Sequence, residues 1–346
     1  MAKIRFAHTR RLTLGVLRLS AVTGACVLAS NSAALASSTT IEFDVRGDAG
    51  GTQPLAINGN AAIAGTWTDR KRISHGFVRK ADGTIVSFDP AGSVATLAYG
   101  INRGGEVTGY FSDGSTQHGF LRKPKGAIKS FDAPGAIATT PYCINNNGAI
   151  AGPWLDSSGV SHGFVRSSDG TTTGFDPAGS TNTYPEAIDG AGDITGFYDD
   201  SNLVAHGFVR AADGTFASFD PQGSVFSDAV GINDNGDIAG FYKDKSQVER
   251  GFVRTSDGTI AVFDAPGAAY GTYAVGIDNL GAVTGFYIDK NGISLGYVRQ
   301  SDGTIASFHP PRAPNGTYPA AIQNPGMIAG AFQNKNFKYR GFLQMP

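Results

Sequence analysis

The chain repeats one unit of about 44 residues along most of its length. A string of the form His-Gly-Phe-Val-Arg, or a close variant, begins at His75, His118, His162, His206, Arg250, Leu295 and Arg340, at spacings of 43 to 45 residues. Two more columns keep that period. Asn58, Asn102, Asn145, Asp189, Asn233, Asp278 and Gln323 each follow an Ile. Phe43, Phe88, Phe131, Phe175, Phe219, Phe263 and Phe308 each precede an Asp, except in copy six, where His309 follows. A period kept this long restricts the fold to a stack or ring of one supersecondary unit, each copy burying its apolar face on its neighbours.

Each unit contains four strand signals. In copy five, strand A ends in Gly231-Ile232-Asn233, and Asp234-Asn235-Gly236 makes a turn. Strand B runs over 237–242, strand C over 251–254 and strand D over 259–263, with an Asp257-Gly258 hairpin between C and D. No segment keeps a helical period over ten residues. Four short strands in about 44 residues predict a β-propeller blade, with a β-solenoid as the rival reading. The last copy stops after strand C, at Gly341-Phe342-Leu343-Gln344, while Thr40-Ile41-Glu42-Phe43-Asp44 forms a spare strand D near the start. The expectation is an all-β, seven-bladed β-propeller of four-stranded blades, closed by the N-terminal strand completing the last blade. Strand A then lines the axis, where Ala56, Gly100, Cys143, Ala187, Gly231, Gly276 and Ala321 supply small side chains. Cys143 reads as a small buried side chain rather than a reactive thiol.

Residues 1–36 read as a secretory signal peptide. Lys3, Arg5, Arg10 and Arg11 precede an apolar stretch over 12–28, and Ala34-Leu35-Ala36 is a small-x-small cleavage site. The stretch is short and broken by Arg18, a poor membrane span. The expected product, residues 37–346, is one propeller domain, secreted or periplasmic and monomeric. The whole chain carries 28 Lys and Arg against 29 Asp and Glu, and the leader removes five of the cations and no acid. A mildly acidic product argues against a nucleic-acid partner. One cysteine remains, so an internal disulfide is excluded.

The consensus His-Gly-Phe-Val-Arg, Asp-Gly-Thr, Phe-Asp-x-Pro-Gly and Gly-Ile-Asn-x-x-Gly-x-Ile-x-Gly-x-Tyr resembles the HAF-type repeat of bacterial extracellular proteins, over residues 40–346. The resemblance implies a secreted propeller and carries over no catalytic or binding residue. This chain departs from the pattern at Arg250, Leu295 and Arg340 in place of His, and at His309 in place of Asp.

Several columns contain chemically capable groups. Two acidic columns end strands B (Asp69, Asp113, Asp156, Asp200, Asp244, Asp289) and D (Asp44, Asp89, Asp132, Asp176, Asp220, Asp264), at the same end of each unit. Rings of carboxylates suit Ca²⁺, but each Asp precedes a turn, and capping by the side chain is the favoured reading. No cofactor is expected. The His of each copy opens strand C beside these acids, which predicts an Asp–His hydrogen bond like the structural networks of Trp-Asp-repeat propellers. Three aromatic columns, including Trp67, Phe111, Trp154, Tyr198, Tyr242, Tyr287 and Phe332 of strand B, read as packing. The Asn column at the A–B turn reads as turn chemistry.

Catalytic motifs are absent: no Gly-x-Ser-x-Gly, no His-Glu-x-x-His, no phosphate loop. Function then falls to irregular residues on the face of the D–A and B–C loops. The candidate binding residues are Tyr99, Tyr142, Tyr184, Tyr273 and Tyr318 with Arg72, Lys245 and Arg312. The leading expectation is a non-catalytic scaffold that binds a protein partner or a surface glycan. The alternatives are a glycan hydrolase or lyase using axial carboxylates, and a structural envelope or matrix component.

Overall fold

The structure is a computed structural model that describes residues 39–346; the signal peptide expected over 1–36 lies outside the described residues. Among the described residues all regular structure is β-strand. Copy one shows the plan: strand A is Gly51–Ile57, B is Ile63–Thr68, C is Ser74–Arg79 and D is Ile85–Phe88. A pairs with B, B with C and C with D, all antiparallel. The later copies repeat this order. The last three strands, Thr317–Gln323, Met327–Gln333 and Tyr339–Met345, take the leading strand Thr39–Phe43 as their outer partner, with Ile41 opposite Leu343.

Copy three departs from a continuous strand A. Its segment divides into Ala138–Thr139 and Cys143–Ile144. Proline stands on both facing strands here, at Pro141 and Pro153, and neither has an N–H to give. The path is kept all the same, because Thr140 and Tyr142 donate their N–H groups to Pro153 O and Ala151 O.

Two glycines per unit are steric requirements. Strand A carries a bulge in most copies, as between Pro185 and Ala187. The bulge presses the Tyr184 carbonyl onto Gly196 of strand B, in the space a Cβ would occupy. In strand C, the Gly of His-Gly-Phe lies under the strand-D ring of its own copy. A Cβ on Gly251 would stand 2.6 Å from Phe263 Cζ.

That strand-D ring also makes the contact between copies. Phe131 meets Phe164 of the next copy edge-on, with centroids 6.2 Å apart. The Arg166 guanidinium lies 4.7 Å above the Phe131 centroid. The edge contact recurs as Phe43–Phe77, Phe88–Phe120, Phe175–Phe208, Phe219–Phe252, Phe263–Tyr297 and Phe308–Phe342. The Arg contact recurs in all but the last of these, where Gln344 replaces Arg. Every strand-C ring in the series is fully buried. Strand A of each copy touches strand A of the next, and that of the last copy touches Gly51–Ile57 of the first.

Phe164→Ala removes a fully buried ring from this contact and should cost about 3–5 kcal/mol of unfolding free energy in urea titrations. Phe43→Ala should cost a similar amount, although Phe43 lies in the leading strand, because its ring is the strand-D partner of Phe77 as Phe131 is of Phe164.

Candidate functional site

The Asn column is where the copies meet at the centre. Asn58 Oδ1 accepts from the N–H groups of Asn60 and Ala62, so the side chain caps its own A–B turn. Its Nδ2 then donates to the Asn102 carbonyl of the next copy at 2.8 Å. Asn102, Asn145 and Asn233 donate likewise to Asn145 O, Asp189 O and Asp278 O. The residue after four of the column members adds a second level. Arg103 N donates to Asn146 Oδ1, Gly190 N to Asp234 Oδ1, Asp234 N to Asn279 Oδ1, and Asn279 N to Asn324 Oδ1.

These turns enclose a cavity of about 350 Å³, to which all seven copies contribute. Its lining residues are those of the Asn column and the positions after them, among them Arg103, Asp189, Asp234 and Asp278, with Ile101, Ile144, Ile188, Ile232 and Ile277. Burial pushes the Asp189 and Asp278 carboxyls above the usual carboxylate range, against the backbone N–H bonds they accept. The turn chemistry expected of the Asn column is thus only half of what it does. A turn cap needs only the acceptor oxygen, so the preference for Asn over Asp was the available sign of a second, donating partner.

At the rim, each His is held between two carboxylates of its own copy. His75 Nδ1 lies 2.7 Å from Asp89, and Nε2 lies 3.6 Å from Asp69. His162 repeats this with Asp176 at 2.7 Å and Asp156 at 3.4 Å, and His118 and His206 follow. The predicted Asp–His bond is present, but its nearer partner is the Asp of strand D. Arg250 bridges Asp244 and Asp264 in copy five, and Arg340 bridges Asp44 and Glu42 in copy seven.

The two acidic columns have different roles. Those of strand B cap turns, as Asp69 Oδ1 does by accepting from Lys71 N and Ile73 N. Those of strand D do not. Asp89 and Asp176 accept the hydroxyl protons of Thr96 and Thr183 from the next copy, tying copies together. In copy six His309 takes that position and meets Thr317 Oγ1 at 2.8 Å. Among the described residues no three His, Cys, Asp or Glu side chains gather as a metal site. Cys143 is half-buried rather than fully buried; its thiol donates to Ala151 O, and burial pushes it upward.

The predicted tyrosines lie in a belt of stacked rings on the inner strands. Tyr99 meets Tyr142 at 5.2 Å and Tyr110 at 5.7 Å. Tyr184 stacks on Phe197, and Phe226 and Phe241 continue the belt to Tyr273. Tyr273 stacks on Phe286, which reaches Tyr318. Burial raises Tyr184 to about 12 and also raises Tyr273 and Tyr318. Arg72 and Lys245 are exposed in B–C turns, and exposed Arg312 lies 3.5 Å from Glu42. None of these eight residues lines the central cavity.

No family model and no curated protein matches this chain. Solved structures do. Virginiamycin B lyase from Staphylococcus aureus is similar with a TM-score of 0.60 at 15% identity, covering 89% of this chain and 100% of that one. The β-propeller domain of the trilobed protease from Pyrococcus furiosus is similar with a TM-score of 0.56 at 10% identity, covering 84% and 95%. The fold is a β-propeller. Puromycin hydrolase is also similar, with a TM-score of 0.61 at 11% identity, over 86% of this chain and 53% of that one. At such identities the likeness concerns the propeller scaffold and not its chemistry.

The rim of the propeller responds to pH. Burial opposes the charge on His118 and His162, but Asp132 with Asp113, and Asp176 with Asp156, outweigh it and raise both imidazoles. A raised folded-state value makes this stabilisation complete below the unfolded value of ~6.5 and lost as pH rises through the folded one. Thermal melts from pH 6 to 9 should show the melting temperature falling over that window. The His118→Gln, His162→Gln double variant should flatten the fall.

Proposed function

We propose that this protein is a seven-bladed propeller with four strands per blade, whose leading strand Thr39–Phe43 completes the last blade and closes the ring. It belongs with the HAF-type extracellular repeat proteins and is exported by the signal peptide at 1–36 to the periplasm or the cell exterior. It works there as a non-catalytic binding scaffold, and its ligand is a surface glycan received at the central cavity. The observation that carries this reading is the cavity itself. It is polar, is assembled from the A–B turns of all seven copies, and its exposed lining residues Arg103, Asn146, Asp234 and Asn279 offer groups suited to hydroxyls. Arg103 of copy two and Asp234 of copy five break the repeat there and give the ligand a defined orientation. The His and Asp residues of the rim support a non-catalytic role, since each His is engaged by carboxylates of its own copy rather than converging with the others.

The test is calorimetric titration of residues 37–346 with a panel of soluble glycans, with the double variant Arg103→Ala, Asp234→Ala beside it. The expected result is saturable binding, weakened at least tenfold in the variant and unchanged by Tyr184→Ala. Loss of binding only in Tyr184→Ala and Tyr273→Ala would move the site to the tyrosine belt. Glycan cleavage by the wild type would replace the scaffold with an enzyme.

A further inference from the structure

Four of the seven central column members join their copy to the next by one arrangement. Oδ1 accepts N–H bonds from its own turn, two in Asn58, Asn145 and Asn233 and one in Asn102, and Nδ2 donates to the next copy's column carbonyl, as Asn233 does to Asp278 O at 2.9 Å. Asp278 has the first half of this arrangement. Its Oδ1 accepts from Leu280 N at 3.0 Å and from Ala282 N at 2.9 Å. A planar group held at one oxygen by these two bonds leaves one place for its second heteroatom. In the asparagines that place holds Nδ2. In Asp278 it holds Oδ2.

Asp278 is only 3% exposed, and Oδ2 is buried with no hydrogen-bond partner. An ionised Oδ2 would set one acceptor toward another, the backbone carbonyl of Gln323, and would leave a buried charge uncompensated. The adjoining turns supply no cation, and Arg103, the cation of the central cavity, belongs to copy two and not to a turn next to Asp278. Its own turn, 278–282, has no other charged side chain, and neither has the next copy's turn, 323–327. The preceding copy's turn contributes Asp234 and Asp237, both acids. On the neighbouring C–D turn of its own copy, Asp302 accepts from Thr304 N, and Arg299 Nη1 donates to Gln300 O. A proton on Oδ2 satisfies both the carboxyl and the carbonyl.

We propose that Asp278 is protonated in the folded protein and that its Oδ2–H donates to the Gln323 carbonyl, so that the seam between copies six and seven is a latch tightened by acid. The upward displacement of the Asp278 carboxyl by burial agrees with this. Asp189, the other acid of the column, shares the turn bonds at Oδ1, from Gly192 N and Asp193 N, and the second-level bond, Gly190 N on Asp234 Oδ1, that Asn279 N makes on Asn324 Oδ1 at the Asp278 seam; of the two acids only Asp278 has an Oδ2 that is buried without a hydrogen-bond partner.

The direction of the effect follows from the raised folded-state value. The latch is fully formed below the unfolded carboxylate value of ~3.9 and is lost as pH rises through the folded value. An asparagine at this position donates at every pH. Thermal melts of residues 37–346, wild type and Asp278→Asn, from pH 4 to 8 read this directly, because the rim imidazoles titrate equally in both proteins and cancel in the difference. The expected result is a variant that melts at least about 2 °C higher at pH 8, with the gap closing toward pH 4. A variant that melts at or below the wild type at pH 8, or with an offset independent of pH, would overturn the latch. A second measurement stands if the variant does not fold. The ¹³C carboxyl resonance of Asp278 in the wild type should titrate above the range of the exposed aspartates, and an ordinary titration would equally refute the proposal.

Discussion

The strand-D phenylalanine is the contact on which the rest of this propeller depends. Phe131 rests on Gly119 of its own copy, meets the edge of Phe164 in the next, and lies beneath the Arg166 guanidinium. A four-stranded unit has two large faces and little interior, so it cannot bury its own rings. Each copy supplies one face of a sandwich whose other face is its neighbour's. This is why the glycine of His-Gly-Phe accompanies the phenylalanine of Phe-Asp in every copy: the first makes room for the second.

Polar contacts then set the register of these packed faces at two radii. Near the centre, Asn58, Asn102, Asn145 and Asn233 reach the next copy's backbone. Toward the rim, Asp89 and Asp176 each hold a histidine of their own copy and a threonine of the next. The departures from the repeat keep these contacts by other means. Arg250 and Arg340 bridge carboxylates where histidines stand elsewhere, and His309 meets Thr317 where an aspartate would have accepted that hydroxyl. A histidine between two carboxylates carries an ordering role here, because both ring nitrogens are already engaged.

Much of this was legible in the sequence. The strand signals of copy five match the observed strands Ile238–Asp244, Glu249–Arg254 and Ile260–Phe263 to within a few residues. The small residues before the column asparagines do lie at the crowded centre, with Gly231 packed against Gly276. Other readings failed for a definable reason. The strand-D aspartates looked like turn caps because they precede Pro-Gly, yet their partners, Thr96 and Thr183, belong to the following copy. The Asn column looked like local turn chemistry because its Oδ1 bonds are local, while its Nδ2 bonds span 43 to 45 residues. A single unit displays what it does for itself and conceals what it does for its neighbour.

The sequence by itself determined the period, the four strands of each unit, the alternation of ring and glycine, and the absence of familiar catalytic motifs. These are local or periodic properties, and spacing along a chain records them directly. Only the tertiary structure decided which side chains meet across copies. It brought seven separate turns around one polar cavity, divided two identical-looking acidic columns into caps and ties, and buried the second oxygen of Asp278 where four sister positions hold an amide nitrogen. The physical reason is that these outcomes depend on the angle at which one unit packs against the next. That angle arises from bulges, ring contacts and glycine clearances acting together, and no single column of residues encodes it.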